Sequence, residues 1–447
     1  MSLHDFATWK PLLELLHAAN PAAFDTPGGH LSGRIGRDGS RSLSLPPPVV
    51  REPRRAVQVE DMRAEFAAIA RVTSALDGDS VTFVAEMPSP GRVVLHLIAP
   101  NPAVEGGLRP YPASLLLVDG AVPEPWRRLP ETYPGVGPSA SADPGLLGRT
   151  LRAKLPDAVP ATETAIAETE TRLGITLPEE LKAVYRVTRA IWSDWESSDL
   201  YDRAIRFNLA CLDELYLGDA ASRPCEWRFG AWEAVSTPPG AAVQGLIGSP
   251  GWLVIGENGG GDRIVLDLTP GPAGHLGQII LLSHEEYAGA TLLADSLTEL
   301  IIRGFQPVRA DSTPEDPPLV ATVGSVAGAE SVASSRLEVL HLGFWDGEPF
   351  NLIPVTASPR LRTLTAHPGS LADPRSLAAL TGLEFLELSA ADWRILLDAG
   401  AVPAGLLAAG IEVAGRPNPL PIIDVANRIL ALWNRPLITR HIIEGFL

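Results

Sequence analysis

The chain holds only two cysteines in 447 residues, Cys211 and Cys225. Two thiols exclude a disulfide framework, and their spacing is not that of a zinc knuckle. Two reduced thiols in a cytoplasmic protein are expected, because disulfides belong to oxidising compartments. Positive charge is also in deficit: 36 Lys plus Arg against 53 Asp plus Glu leaves a net −17. A general nucleic-acid binder needs clustered cations, so that class is disfavoured. Acidity suits a protein that captures a basic partner. Long apolar runs are missing too, and a membrane span needs roughly 18 or more such residues. Met1 to Lys10 lacks a charged head followed by an apolar core, so no signal peptide is expected. Glycine and proline are abundant instead. Their sum, 41 + 42 = 83 of 447 residues, exceeds the roughly 12% of average usage. Many turns and several linkers follow. The hydrophobic share of 45% is that of globular protein, and the length suits two to four domains.

An α+β organisation is expected. In an N-terminal α+β unit, residues 1–150, Trp9, Leu12, Leu13 and Leu16 share one helical face. A Gly-, Ser-, Arg- and Pro-rich stretch follows, carrying Arg34, Arg37, Arg41, Arg51, Arg54 and Arg55. It reads as an anion-binding arm or as a solvated loop or strand pair. No aromatic ring is interleaved to stack on bases. Glu60–Ala75 has the pattern of an amphipathic helix. Val81–Met87, Arg92–Ala99 and Ser114–Val118 read as strands of the same unit.

Thr162 is an N-cap candidate for a helix ending at Gly174, and Pro178 suits the start of the next. From Gly251, three short strands separated by tight turns predict an antiparallel meander. Ser296-Leu297-Thr298-Glu299 is a capping box, and Gly304 ends its helix. Residues 306–336 have linker composition. Beyond them Leu337-x-x-Leu340-x-Leu342 returns as Leu361-x-x-Leu364-x-Ala366 and Leu383-x-x-Leu386-x-Leu388, at offsets of 24 and 22 residues. That period is the leucine-rich-repeat one, over residues 337–447. An α/β segment with coincidental leucines is the alternative.

Catalytic patterns do not assemble. His284-Glu285-Glu286 lacks the second histidine of a zincin. The glycine run ending at Asp262 has no Gly-Lys-Ser/Thr and leads into a strand, so a hairpin turn is expected rather than a phosphate cradle. Asp262 and Asp267 lack a third ligand at metal spacing. No cofactor, no metal and no catalytic residue is expected. One stretch reads as a partner surface: Trp192, Asp194, Trp195, Glu196, Asp199 and Tyr201 mix aromatics with carboxylates, as a face for a basic protein would. A half-buried loop whose tryptophans fill core is the alternative.

Two motifs carry a family resemblance. The first is Leu173-Gly174-Ile175-x-Leu177-Pro178-Glu179-Glu180-Leu181-Lys182-x-x-Tyr185. The second is Gly251-Trp252-x-x-Ile255-Gly256-x-x-Gly259-Gly260-Gly261-Asp262 with Leu266-Asp267-Leu268. In this order they resemble the SUKH superfamily, which includes fungal cell-wall assembly regulators of the Smi/Knr type and many bacterial relatives. The resemblance covers residues 160–305. Family members often place an asparagine–glycine turn after the second helix; here Arg186 to Ile191 stands instead. The resemblance implies a non-catalytic binding scaffold whose motif residues are mostly structural. It implies an immunity protein that neutralises a bacterial toxin by binding it, or a regulatory scaffold whose repeats recruit partners. An enzyme with its site in the N-terminal half is the remaining alternative. Neither nucleic acid nor membrane is expected as a partner.

Overall fold

The computed structural model describes residues 2–21, 29–38, 41–43, 55–105, 115–190, 195–233, 235–286, 288–304, 320–323, 333–344, 348–413 and 418–447, with backbone alone at 55–62 and 195–199. Three sheets organise them.

The N-terminal sheet holds β1 (His30–Gly36), β2 (Arg41–Leu43), β3 (Ser80–Ser89) and β4 (Arg92–Ile98). All its pairings are antiparallel, and its fifth strand is the chain's last, β17 (Arg440–Phe446), alongside β4. Helix Phe6–Ala19 presents Trp9, Leu12, Leu13 and Leu16 to one face, as their spacing requires. Helix Arg55–Thr73 adds Ile69 and Val72 to the same core. The arginine-rich stretch resolves toward the strand pair. Arg34 donates to the Ser80 hydroxyl at 3.2 Å and Arg37 to the Leu76 carbonyl at 2.6 Å. Arg41 pairs with Glu65 at 2.9 Å and lies over the Phe66 ring. Arg51 and Arg54 lie outside the described residues.

The expected third strand of this unit, β5 (Leu115–Leu117), is elsewhere: it runs antiparallel to a strand of the C-terminal sheet. The sequence carries no sign of this, because the partner lies almost 300 residues downstream. Helix Pro144–Lys154 likewise leaves the N-terminal unit and buries Leu147 and Leu151 in the central core.

The central sheet has β6 (Asn208–Leu209), β7 (Tyr216–Leu217), β8 (Trp252–Glu257), β9 (Arg263–Asp267), β10 (Gln278–Leu282) and β11 (Thr291–Ala294). Strands β8 to β11 form the expected antiparallel meander, and β6 and β7 both pair with β8. Helices Glu163–Leu173, Glu179–Tyr185 and Leu297–Arg303 pack on it, together with Pro144–Lys154 and the end of Trp195–Ile205. Their ends follow the local code. Thr162 Oγ1 accepts from Ala165 N at 3.1 Å, and Gly174 closes that helix at φ +70°. Ser296 Oγ accepts from Glu299 N at 3.0 Å.

The C-terminal sheet runs β12 (Val320–Val323), β13 (Val339–Leu342), β14 (Thr363–Ala366), β15 (Phe385–Ser389) and β16 (Ala408–Glu412) in parallel, with β5 closing the far edge antiparallel. The register Val339↔Thr363↔Phe385↔Ala408 gives steps of 24, 22 and 23 residues. β12 lies inside the stretch with linker composition, and β16 carries alanines where the earlier units carry leucines. Both pair by extending the ladder rather than by local pattern. Leu340, Leu364, Leu386 and Ala409 point into the core, with Trp393 and helix Leu420–Leu432 behind them.

Among the described residues no helix is long and apolar enough to cross a membrane.

Candidate interaction surfaces

The two motif segments are spent on the central fold. Leu177, Leu181 and Tyr185 are buried in the core, with Leu173 packed against it. The Tyr185 hydroxyl donates to the Ala210 carbonyl at 2.7 Å. Pro178 sits at the N-cap of helix Glu179–Tyr185. The Glu180 carboxylate caps helix Leu297–Arg303, accepting from Thr298 N at 2.8 Å and from its hydroxyl. Burial raises its pKa, and the Thr298 hydrogen bonds oppose that shift.

Trp252 is fully buried on β8. Gly256 lies where a Cβ would stand 2.1 Å from the Asn208 carbonyl oxygen, because β6 crosses there. Gly256→Ala forces backbone apart at the β6–β8 pairing. The expected cost is about 3 kcal/mol, measured by urea unfolding. A loss below about 0.5 kcal/mol would show that β6 does not pack there.

Gly259 and Gly261 hold φ of +79° and +99° in the β8–β9 turn, which only glycine adopts freely. Asn258 Oδ1 accepts from Gly260 N and Asp262 N, and Asn258 Nδ2 donates to Asp262. Asp262 Oδ1 lies 2.8 Å from His284 Nδ1 and accepts from His284 N. Those bonds hold the Asp262 carboxyl below its usual range. The hairpin expected from the glycine run is therefore the structure found, with His284 pinned at its base.

Asp267 is fully buried at the end of β9. It accepts from Thr269 N at 2.8 Å and from Gln278 Nε2 at 2.9 Å. Burial pushes its pKa up to about 6 and the hydrogen bonds pull against that. The unfolded value is lower, near 3.9. Between the two, the folded chain keeps a proton that the unfolded chain releases. Stability therefore falls as pH rises through this window and levels off above about pH 6. The contribution amounts to about 2–3 kcal/mol. Asp267→Asn should remove this slope, seen by comparing unfolding of the two proteins from pH 4 to 7.5. Parallel pH profiles would contradict the assignment.

The acidic aromatic stretch is described only in part. Trp192 and Asp194 lie outside the described residues. Trp195, Glu196 and Asp199 lie on helix Trp195–Ile205. Tyr201, on the same helix, is half-buried against the central core.

Both thiols are free and neither is activated. Burial, with Glu214 2.9 Å from Sγ, pushes Cys211 up to about 12. Burial and Glu105 push Cys225 up to about 11. A thiolate nucleophile needs the opposite shift. Among the described residues no group of three or more His, Cys, Asp or Glu stands where it could hold a metal ion.

The feature that sequence reasoning missed is on the C-terminal ladder. Side chains of its strand face form rows, since residues two apart share a face. The first row is Val339, Thr363, Phe385 and Ala408. The second is His341, Thr365, Glu387 and Gly410. Helix Trp227–Trp232, from the loop between β7 and β8, is seated on both. Trp227 and Ala231 pack with Phe385 and Ala408. Thr363 Oγ1 and Arg362 donate to the Ala231 carbonyl, at 2.6 and 3.1 Å, and Arg362 also donates to that of Glu233. A cation on the last carbonyls of a helix is the favourable arrangement. Arg228 reaches Glu387 at 2.5 Å, and the Trp232 ring meets the His341 ring edge-on at 5.3 Å.

Residues just before the strands extend this contact. Glu338, 1% exposed, accepts from Val235 N and from the Ser236 hydroxyl, and it faces Arg362 at 3.4 Å and Arg128 at 3.6 Å. Burial pushes the Glu338 carboxyl up, but Ser236 and the two guanidinium groups hold it below its usual value. Glu384 pairs with Arg127 and accepts from Glu124 N. The only sequence signal was the charged residue ahead of each strand, Glu338, Arg362 and Glu384.

With this geometry in place, comparison with known proteins decides the central part. Residues 160–303 match the SMI1 / KNR4 family (SUKH-1). The chain is 37% identical over 67 residues to a Neurospora crassa "Glucan synthesis regulatory protein". It is 43% identical over 65 residues to a Schizosaccharomyces pombe "Cell wall biosynthesis/cell cycle regulator smi1". These matches cover 15% and 14% of this chain, and 13% of each relative's length.

Proposed function

We propose that this chain is a non-catalytic cytoplasmic protein-binding protein. Its SUKH-1 domain meets the partner, and the C-terminal ladder, read as leucine-rich-repeat-like, holds that domain in position. The observation that carries this reading is the seat of helix Trp227–Trp232 on the first two rows of the ladder. Where the chain's own helix fills the strand face, those rows are closed to a partner, which favours the domain that supplies the helix as the main recognition element. Two unactivated thiols and buried carboxylates committed to caps and turns support a binding role rather than a chemical one.

Charge supports the partner class. A protein at −17 steers a basic toxin domain toward itself and speeds its capture, which is immunity by neutralisation. The names of the fungal relatives support a second reading, a regulator of cell-wall synthesis. Capture of partners by the tagged full-length protein from its native lysate, followed by reconstitution, separates them. One dominant partner with a basic effector domain, bound one-to-one, supports immunity. Charge reversal at Asp194, Glu196 and Asp199 should then slow association at low salt. Several cell-envelope or signalling proteins would support the regulator. Turnover of a small molecule, lost on a single polar substitution that leaves the fold intact, would contradict both.

A further inference from the structure

The ladder's strand face has a third row, and the helix that fills the first two shows what chemistry it takes. Continuing the register two residues on brings His367, Ser389 and Glu412 onto the same face as Thr365, Glu387 and Gly410. Ser389 is small, so the outer two meet across it: His367 Nδ1 lies 2.9 Å from Glu412 Oε1. The Phe344 ring stands edge-on to the His367 ring at 5.6 Å. At 73% exposed, Phe344 is a large apolar side chain facing solvent.

The third row repeats the second. There, a histidine ring takes Trp232 and a carboxylate takes Arg228. In the third, a histidine ring and a carboxylate again share the face, with Phe344 as an extra aromatic wall. The short helix supplies arginine and tryptophan one turn apart, and it ends at Trp232. The third row is thus continuous with an interface already built, and it offers the same pair of groups.

We propose that this row is a docking site for a helix of a partner protein that presents an arginine and an aromatic ring one turn apart. The arginine meets Glu412, and the ring packs between Phe344 and His367. Aromatic and arginine anchors are the side chains that carry most binding energy at such surfaces. The proposal is independent of which partner the SUKH-1 domain takes.

The probe is a fluorescently labelled helical peptide with Arg and Trp spaced as Arg228 and Trp232, titrated into the full-length protein and read by anisotropy. The expected result is saturable one-site binding. It should weaken about tenfold or more in Phe344→Ala and in Glu412→Gln, and with a peptide carrying Glu for Arg. Phe446→Ala, an exposed ring on β17, should leave it unchanged. Phe344 is exposed and Glu412→Gln is isosteric, so neither should unfold the protein. Absence of saturation, or equal affinity for the Glu peptide, would overturn the proposal. So would binding that survives Phe344→Ala but is lost in Glu387→Gln, which would mean exchange with the chain's own helix.

Discussion

Arg362→Ala should destabilise the protein by about 3–5 kcal/mol, because removing one partner strands a buried opposite charge. Arg362 is nearly buried, faces Glu338 and Glu124, and donates to the carbonyls of Ala231 and Glu233. Truncation leaves Glu338 in the interior with Arg128 as its remaining cation, the Glu233 carbonyl without this donor and the Ala231 carbonyl with Thr363 alone. Arg362→Met, of similar length, should recover little, since both the carboxylate and the two carbonyls remain. The double variant Arg362→Met with Glu338→Gln should recover part of the loss, because the stranded charge is gone. Chemical denaturation of the wild type, Arg362→Met, Glu338→Gln and the double variant gives the coupling energy. A single-variant loss under about 1 kcal/mol would mean that the pair is open to water and the joint loosely packed.

Deleting residues 440–447 should disrupt the N-terminal sheet, although that sheet begins at residue 30. β17 pairs with β4 along its whole length. Ile443 belongs to the N-terminal core, and Gly445 lies so close to Phe6 that a Cβ would stand 2.2 Å from its ring. Lys10 Nζ reaches the Phe446 carbonyl at 3.0 Å and Arg92 pairs with Glu444 at 2.8 Å. The loss should be on the order of 5 kcal/mol, from ladder hydrogen bonds near 1 kcal/mol each and the burial of Ile443. It should appear as a separate low-temperature transition in calorimetry. An unchanged single transition would show that four strands suffice. Ile443→Asp keeps the chain length and should reproduce most of the effect.

Both results depend on pairings that join distant parts of the chain, and this is where sequence reading ends. Caps and turns are written within a few residues of where they act. Thr162, Gly174, Ser296, Gly304 and the glycine run at 259–261 were therefore legible, and the central meander with them. The steps between Leu337, Leu361 and Leu383 marked three ladder strands, because each leucine fills the same core. β12 and β16 escaped, since Val320-Ala-Thr-Val and Ala408-Ala-Gly-Ile carry no repeat leucines. β17 escaped for another reason, and β5, expected as a strand, was placed in the wrong sheet for the same one: a terminal strand and a three-residue strand take their place from partners hundreds of residues away.

The site followed the same rule. The SUKH-1 motifs were visible because they are contiguous, yet their residues hold the fold. The intramolecular contact was hidden. Glu338, Arg362 and Glu384 look like ordinary solvated charges, and they are covered by segments distant in sequence: residues 231–236 and Arg128 over Glu338 and Arg362, and Glu124 and Arg127 over Glu384. Of the acidic aromatic stretch, Tyr201 packs partly against the central core, a contact that composition does not show.

Amide hydrogen exchange tests directly whether helix Trp227–Trp232 is seated on the ladder. In the intact protein, the amides of Gly230, Glu233 and Val235 should exchange as slowly as those of β14 and β15, with protection lost together in Arg362→Ala. Fast exchange of that segment in the intact protein, beside a protected ladder, would contradict the account and return the strand face to outside partners.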